Sequence, residues 1–288
     1  MFQNKPLSRY SVHQLNSLPP YLVCGYKDIQ NYASQHNARA ERSKLFCSSH
    51  FGSRTVPLEQ KQALVDNVFS SVAKNYDLMN DAMSLGIHRY WKNYFVEDLA
   101  GVRVLDVAGG TGDIAFRIQD LNRDNGVEVT VLDINAAMLA EGRRRASEQQ
   151  YQGLEFVEGN AEELPFEADS FDVYTIAFGL RNVPRTAKAL GEAFRVLKKG
   201  GRLSILEFSK VQTSLFRQAY ETYSHLVIPQ LGETLASDRA SYQYLVESIQ
   251  KFYDQESLLR LVKEAGFKYA GFRNLSDGIV AIHNGFKL

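Results

Sequence analysis

The chain has 288 residues, 44% of them hydrophobic, enough apolar material for one large globular domain with extensions. Its 33 basic residues balance its 33 acidic ones, so bulk charge excludes a nucleic-acid binder, and no apolar run reaches the roughly eighteen residues that span a bilayer. Both cysteines, Cys24 and Cys47, lie near the N-terminus, which leaves the body without a disulfide, a thiolate nucleophile or a CxxC metal site.

Charge is unevenly spread. Residues 1–58 hold seven Lys and Arg against Asp28 and Glu41, leaving 26 basic and 31 acidic residues in the body, a net charge of −5. Residues 1–50 are basic, serine-rich and without a sustained apolar period, the composition of a mitochondrial targeting presequence. The mature chain is expected to begin between about Lys44 and Thr55. Asp28, Glu41 and Pro19-Pro20 fit this reading least, and a tail with another role is the alternative.

From Leu58 to Asn75, Leu64, Val65, Val68, Phe69 and Val72 recur at helical spacing behind Pro57. Gly86 stops a second segment, and a new helix is expected from His88 to Leu99. Tyr76, Asp77, Asn80 and Asp81 set polar groups in an apolar frame, as a ligand-covering segment would; capping and packing are the plainer reading, with Met83 and Trp91 in the core. Arg103 to Val107 then reads as a buried parallel strand, followed by the turn Asp106-Val-Ala-Gly-Gly-Thr-Gly112 and a helix from Asp113 to Leu121. Gly109, Gly110 and Gly112 clear side chains from the backbone so that a ligand can approach.

The strand Glu128 to Asp133 ends in an acid roughly twenty positions on, where a carboxylate accepts the ribose hydroxyls of an adenosine. The turn is not Gly-x-Gly-x-x-Gly, as a dinucleotide oxidoreductase requires, and no Lys-Ser or Lys-Thr follows as in a Walker loop. It resembles an S-adenosylmethionine turn, with Ala108 where many methyltransferases carry glycine. A helix follows from Ala136 to Gln150, then a strand from Leu154 to Glu158. Asn160 just beyond it is placed near the adenine, with Leu164-Pro-Phe166 as a wall.

Phe171 to Phe178 is the fourth strand. It runs into Gly179-Leu-Arg181-Asn182, which makes Arg181 the charged group to place over a substrate. A helix from Arg185 to Leu197, a turn at Lys198-Lys-Gly-Gly201 and a strand from Arg202 to Phe208 complete an alternation that specifies a doubly wound α/β sheet. Residues 209–254 form an aromatic, partly helical insertion, read as a lid or as a surface for a second subunit. A helix from Glu256 to Ala265 and a hairpin of Tyr269 to Leu275 and Ile279 to Phe286 close the chain.

Tyr76-Asp-Leu-Met-Asn-Asp-Ala-Met-Ser-Leu-Gly-Ile-His-Arg-Tyr-Trp91 and Arg195-Val-Leu-Lys-Lys-Gly-Gly-Arg-Leu-Ser-Ile-Leu-Glu-Phe208 resemble the two signatures of the ubiquinone/menaquinone biosynthesis C-methyltransferase family. The similarity extends over residues 50–288. It implies the class I S-adenosylmethionine-dependent methyltransferase fold for 51–288, with a mostly parallel sheet and a helical insertion after the fifth strand. It further implies methyl transfer to a ring carbon of a polyprenyl benzoquinol, without a metal, and cofactor contacts from Thr111, Asp133, Asn160 and Ala161 beside the glycines of the turn. A usual serine is Ala177 here, and a usual proline is Lys199. Arg181, Tyr76 and Asp133 are the catalytic candidates, the first to steady a ring oxyanion and the others to hold a water or relay the proton. His88 lies inside a helix-starting signature and is read as structural. The implied partners are other enzymes of a coenzyme Q biosynthetic complex and the matrix face of the mitochondrial inner membrane, met peripherally; a homodimer stays open, as do a demethylmenaquinol substrate and a non-catalytic scaffold.

Overall fold

A computed structural model describes residues 48–72, 80–81, 84–99, 101–122, 126–214, 217–218, 220, 223–224, 230, 233 and 239–288. The presequence reading, Tyr76, Asp77, Met83 and Phe216 lie outside these residues. A two-stranded sheet, β1 (Ser48–Phe51) with β2 (Arg54–Pro57), leads into helix α1 (Leu58–Val72) and, further on, α2 (His88–Glu97). Then β3 (Arg103–Val107), α3 (Asp113–Leu121), β4 (Glu128–Asp133), α4 (Ala136–Glu148), β5 (Leu154–Glu158) and β6 (Phe171–Ala177) alternate. A single 3-10 turn, Leu180–Asn182, precedes α5 (Thr186–Val196) and β7 (Leu197–Phe208); α6 (Arg239–Lys251), α7 (Gln255–Glu264), β8 (Lys268–Leu275) and β9 (Val280–Phe286) end the chain.

Seven strands form one sheet in the order β5-β4-β3-β6-β7-β9-β8. All neighbours are parallel except β9, which runs antiparallel to both β7 and β8. The strand order reverses between β3 and β6, so a crevice opens above their carboxyl ends. Alternating side chains divide the core. Val104, Val129, Val131 and Val173 pack with Trp91, Phe95, Ile114 and Ile118 on one face; Leu105, Leu132, Tyr174, Ile176 and Ile205 meet Leu190, Val196, Leu258 and Val262 on the other. Both faces are therefore apolar, which is why these strands read as near-continuous hydrophobic runs.

Two boundaries depart from the periodicity. The residues expected as a turn, Lys198 to Gly201, belong to β7, because Gly200 donates to Lys287 O at 2.6 Å and Lys287 donates to Gly201 O at 3.0 Å. Leu164 and Phe166 do not wall a ligand. Leu164 N donates to Glu192 at 2.8 Å and Arg195 donates to the carbonyls of both residues, which draws the segment onto α5 and seats Phe166 edge-on against Phe171. Trp91 is core as expected, 2% exposed, with its indole N–H on Ser276 Oγ at 2.8 Å. Among the described residues, no helix is long and apolar enough to cross a membrane.

His283 on β9 is 1% exposed and its Nε2–H donates to Gln255 O at 2.9 Å. Burial pulls its pKa below the usual value, so the folded chain keeps a neutral ring while the unfolded chain binds a proton near pH 6.5. Stability is therefore expected to fall as pH drops below about 6.5. In His283→Gln, thermal melting followed across that range should show a shallower acid loss than the parent; parallel curves would remove His283 from the acid response.

Candidate active site

The crevice holds about 960 Å³ of empty space, its open mouth included, and is lined by the ends of β3, β4, β5 and β6 together with α1 and α2. At its floor the turn after β3 is built for close approach. A Cβ at Gly109 would meet Asp106 Oδ2 and Val131 Cγ1 at 2.7 Å, and Gly110 adopts φ +55°, a left-handed conformation open to glycine at little cost. Two non-glycine residues also take positive φ at strand ends in this crevice: Ala108 (51°) and Phe178 (55°). Each costs about 1–3 kcal/mol and is held by the surrounding packing; a Cβ on Gly179 would lie 2.4 Å from that of Ala108.

Asp133, at the end of β4, accepts from Gly110 N with one oxygen and from Asn135 N with the other, both at 2.9 Å. Burial is the dominant influence and raises its pKa to about 6, against backbone hydrogen bonds that favour the charge. Asp106, at the end of β3, is fully buried. One oxygen accepts from Thr175 Oγ1 at 2.8 Å while the other has no partner among the described residues, and burial lifts its pKa to about 7. Thr111 is also buried, its hydroxyl unpartnered among the described residues. Orphaned buried polar atoms cost stability unless a ligand completes them. Lys92 of α2 reaches in beside them and ion-pairs Asp113 at 2.7 Å.

Asn135 joins the roof to the floor. Its oxygen caps α4 by accepting from Met138 N at 2.9 Å, and its amide donates to Asp66 Oδ1 at 2.6 Å and Ser70 Oγ at 2.8 Å on α1. The cap thus ties α1 across the crevice, placing Gln62, Val65, Asp66 and Phe69 on its wall.

Of the residues expected from the sequence, Gly109, Gly110, Thr111, Asp133, Asn160 and Ala161 all line the crevice, as does Ala177. Gly112 forms the αL N-cap of α3 behind it. Asn160 uses its oxygen to accept from Glu162 N at 2.9 Å. Arg181 turns elsewhere: its guanidinium is 3% exposed, pairs with Glu207 at 2.8 Å, donates to Phe178 O and lies over the Phe208 ring. It faces a neighbouring pocket instead of the crevice. Asp81 holds Arg89 and His88 at 2.7 and 2.8 Å through side-chain pairs, while Ile87 at the N-cap of α2 has no side-chain cap.

The sequence reading noted Asp106 as an acid at a strand end without giving it a role, and passed over Lys92, Asn135 and Glu207. Signals existed. Asp106 and Glu207 are acids closing apolar strands, as Asp133 is. Lys92 falls on the buried stripe His88, Trp91, Lys92, Phe95, Val96, where a lysine is out of place unless paired.

The groups present suit S-adenosylmethionine: carboxylates for ribose hydroxyls and a cationic centre, an unsatisfied hydroxyl, and a glycine cradle. Residues 56–287 match the model of the ubiE/COQ5 methyltransferase family. The chain is 54% identical over 245 residues to a ubiquinone/menaquinone biosynthesis C-methyltransferase UbiE of Roseobacter denitrificans, covering 84% of this chain and 97% of that one. It is 54% identical to the UbiE of Rhizobium johnstonii over 83% and 94% of the two chains. Among solved structures, a SAM-dependent methyltransferase of Aquifex aeolicus superimposes with a TM-score of 0.54 at 15% identity over 76% of this chain and 98% of that one. The [4+2]-cyclase SpnF gives 0.51 at 18% identity over 77% and 94%. At such identity the likeness concerns the fold, which hosts more than one chemistry.

Asp133→Ala should abolish S-adenosylmethionine binding in calorimetry while leaving the circular dichroism and melting of a folded protein; unchanged affinity would take Asp133 out of the site. Asp106→Asn should move two readouts in opposite directions. The buried carboxylate destabilises the ligand-free fold as pH rises from about 4 through about 7, so the variant should melt higher than the parent at about pH 8 and lose that advantage toward about pH 4.5. Its affinity for the sulfonium should fall about tenfold or more.

Proposed function

This chain belongs to the ubiE/COQ5 methyltransferase family, an S-adenosylmethionine-dependent C-methyltransferase of ubiquinone/menaquinone biosynthesis, and from that premise we propose that its substrate is 2-methoxy-6-polyprenyl-1,4-benzoquinol. One observation carries the choice of a lipid quinol: a second cavity stands behind the aromatic wall of the crevice. It contains about 1610 Å³ of empty space, solvent at its mouth included; Phe208, Val211, Tyr220, Leu245, Val246, Ile249 and Phe272 supply an apolar part of its lining, and polar and charged groups, Lys210, Arg217, Asp254 and Glu256 among them, supply the rest. Phe178 on the crevice side and Phe208 on this side are in ring contact at 4.8 Å. A polar cofactor in one chamber and a prenyl tail in the other would place the quinol ring near that wall.

When bound, S-adenosylmethionine supplies an electrophilic methyl group. Thr111, Asp133 and the turn amides would hold it. The ring carbon becomes nucleophilic when a neighbouring hydroxyl loses its proton, yet such a hydroxyl titrates near roughly 10. Ionising it near pH 8 costs about two pK units, roughly 2.7 kcal/mol, which the site must offset. We retain Arg181 in this role at one remove. Its cation, shared with Glu207, lies over Phe208 and anchors Phe178 O, so it fixes the wall and adds positive potential beside Tyr220, whose pKa burial raises to about 12. Tyr76 and Asp133 are proposed to hold the water that takes the proton; proximity and in-line alignment supply the rest.

The basic, serine-rich first fifty residues support a mitochondrial location, a mature start between about Lys44 and Thr55, and peripheral attachment to the matrix side of the inner membrane among other coenzyme Q enzymes. A demethylmenaquinol substrate would use the same residues, and the presequence is the feature that favours ubiquinone. A scaffold without catalysis would not need Thr111 and Asp133 kept in place.

The deciding assay incubates the chain with S-adenosylmethionine and, in parallel, a short-chain 2-methoxy-6-prenyl benzoquinol and a demethylmenaquinol, reading methylated product by mass. Faster turnover of the naphthalene ring would overturn the benzoquinol assignment, and no turnover of either would favour the scaffold. Arg181→Lys keeps the charge and loses the planar fork. It should lower kcat while S-adenosylmethionine affinity holds, and should shift the apparent pKa for substrate ionisation upward.

A further inference from the structure

Beside the crevice, sharing only Val183 with it, lies a separate pocket with about 500 Å³ of empty space. Its charged lining is one-sided. Lys61, Arg181, Lys251 and His50 contribute to it, and none of the described residues that line it is acidic, although the body of the chain carries a net −5. Two of these cations are buried: Lys61 is 6% exposed and Arg181 7%. Arg181 is paired with Glu207 through Nη1 at 2.8 Å, while its Nε has no acceptor among the described residues. Lys61 Nζ donates to Arg181 O at 3.2 Å, one bond for a group with three donors. Glu162, the nearest countercharge acting on Lys61, is already held by Arg185 at 2.6 Å.

Thr186, the first residue of the eleven-residue helix α5, lines the same pocket. The helix start has no side-chain cap and no acid in its first turn; Glu162 accepts from the N-cap amide of Arg185 at 2.7 Å and Lys188 N bonds Arg185 O, which leaves the first-turn amides of Thr186 and Ala187 and part of the helix dipole to an entering anion. Burying a lysine without a carboxylate is costly, and here desolvation pulls its pKa down to about 8; an anion beside it would reverse that loss. Tyr253, 41% exposed, stands at the rim.

We propose that this pocket is a binding site for a phosphate group, held by Lys61, Lys251 and the N-terminus of α5. Two sources present the same chemistry, a free phosphate or phosphomonoester and the headgroup of an acidic phospholipid. The site shares only Val183 with the methyl-transfer crevice and touches its wall through Arg181, so its occupancy bears on anchoring or regulation.

The test uses the full chain. Inorganic phosphate is titrated by calorimetry, and co-sedimentation is measured with phosphatidylcholine vesicles that contain or lack phosphatidic acid. Binding in at least one arm is expected, weakened about tenfold or more in both Lys61→Met and Lys251→Gln. Lys199→Met, which removes the same charge from an exposed strand position, should bind as the parent does. Phosphate binding assigns a soluble ligand; vesicle binding alone assigns the headgroup. S-adenosylhomocysteine affinity and melting report whether Lys61→Met is folded; if it is not, Lys251→Gln decides. Absence of binding in both arms, indifference to Lys251→Gln, or an equal loss in Lys199→Met would overturn the proposal.

Discussion

The crevice depends on placing carboxylates where water is scarce, at the carboxyl ends of β3 and β4. Asp106 and Asp133 are lifted toward neutrality by burial, a cost that an ordinary core would avoid by putting valine in their place. The penalty is met differently at the two positions. Asp133 is satisfied by backbone amides on both sides, so it locks the β3 and β4 turns to one another. Asp106 is left half-satisfied. An unpaired oxygen at the floor of a crevice is a standing preference for a donor or a cation. Natural proteins tolerate this kind of local instability where function needs it.

Around that pair the remaining parts form a frame. Asn135 caps α4 with its oxygen and clamps α1 with its amide, so one side chain converts a cap into a roof. On the other side of the switch point, Glu207 gathers Arg181 and the Phe208 amide. Buried ion pairs seldom add much stability, since desolvation offsets the attraction; their use is geometrical. This one fixes Phe178 and Phe208 as a partition with the crevice on one side and a second cavity of mixed lining on the other. A backbone held at positive φ at Phe178 is tolerable because the partition over-determines it.

Glycine spacing, an acid about twenty residues on and alternating apolar runs were enough to read the doubly wound sheet and to place the glycine turn and Asp133 on the crevice that it forms, because these depend on local backbone geometry. The 209–254 insertion was read only as partly helical, and its end forms α6. Less legible were partners. Arg181 follows a strand end and was expected to point at a substrate, but nothing local in Gly179-Leu-Arg181-Asn182 announces that Glu207, twenty-six residues away, will claim its guanidinium. Leu164 and Phe166 were misplaced for the same reason: Glu192 and Arg195 of α5 pull them aside.

What the amino-acid order determined by itself was periodicity and permission: which runs bury both faces, which turns admit a ligand because no Cβ stands in the way, and which family those patterns join. Only the tertiary structure decided where charge ends up. Lys61 and Lys92 lie on apolar helical stripes that look alike in sequence, yet Lys92 meets Asp113 in the crevice while Lys61 enters a pocket whose described lining has no acid. The difference is physical. Hydrophobic pattern is a property of a segment, whereas the field at a buried ammonium is a sum over groups that the chain brings together from distant positions, and that sum exists only once the sheet has closed.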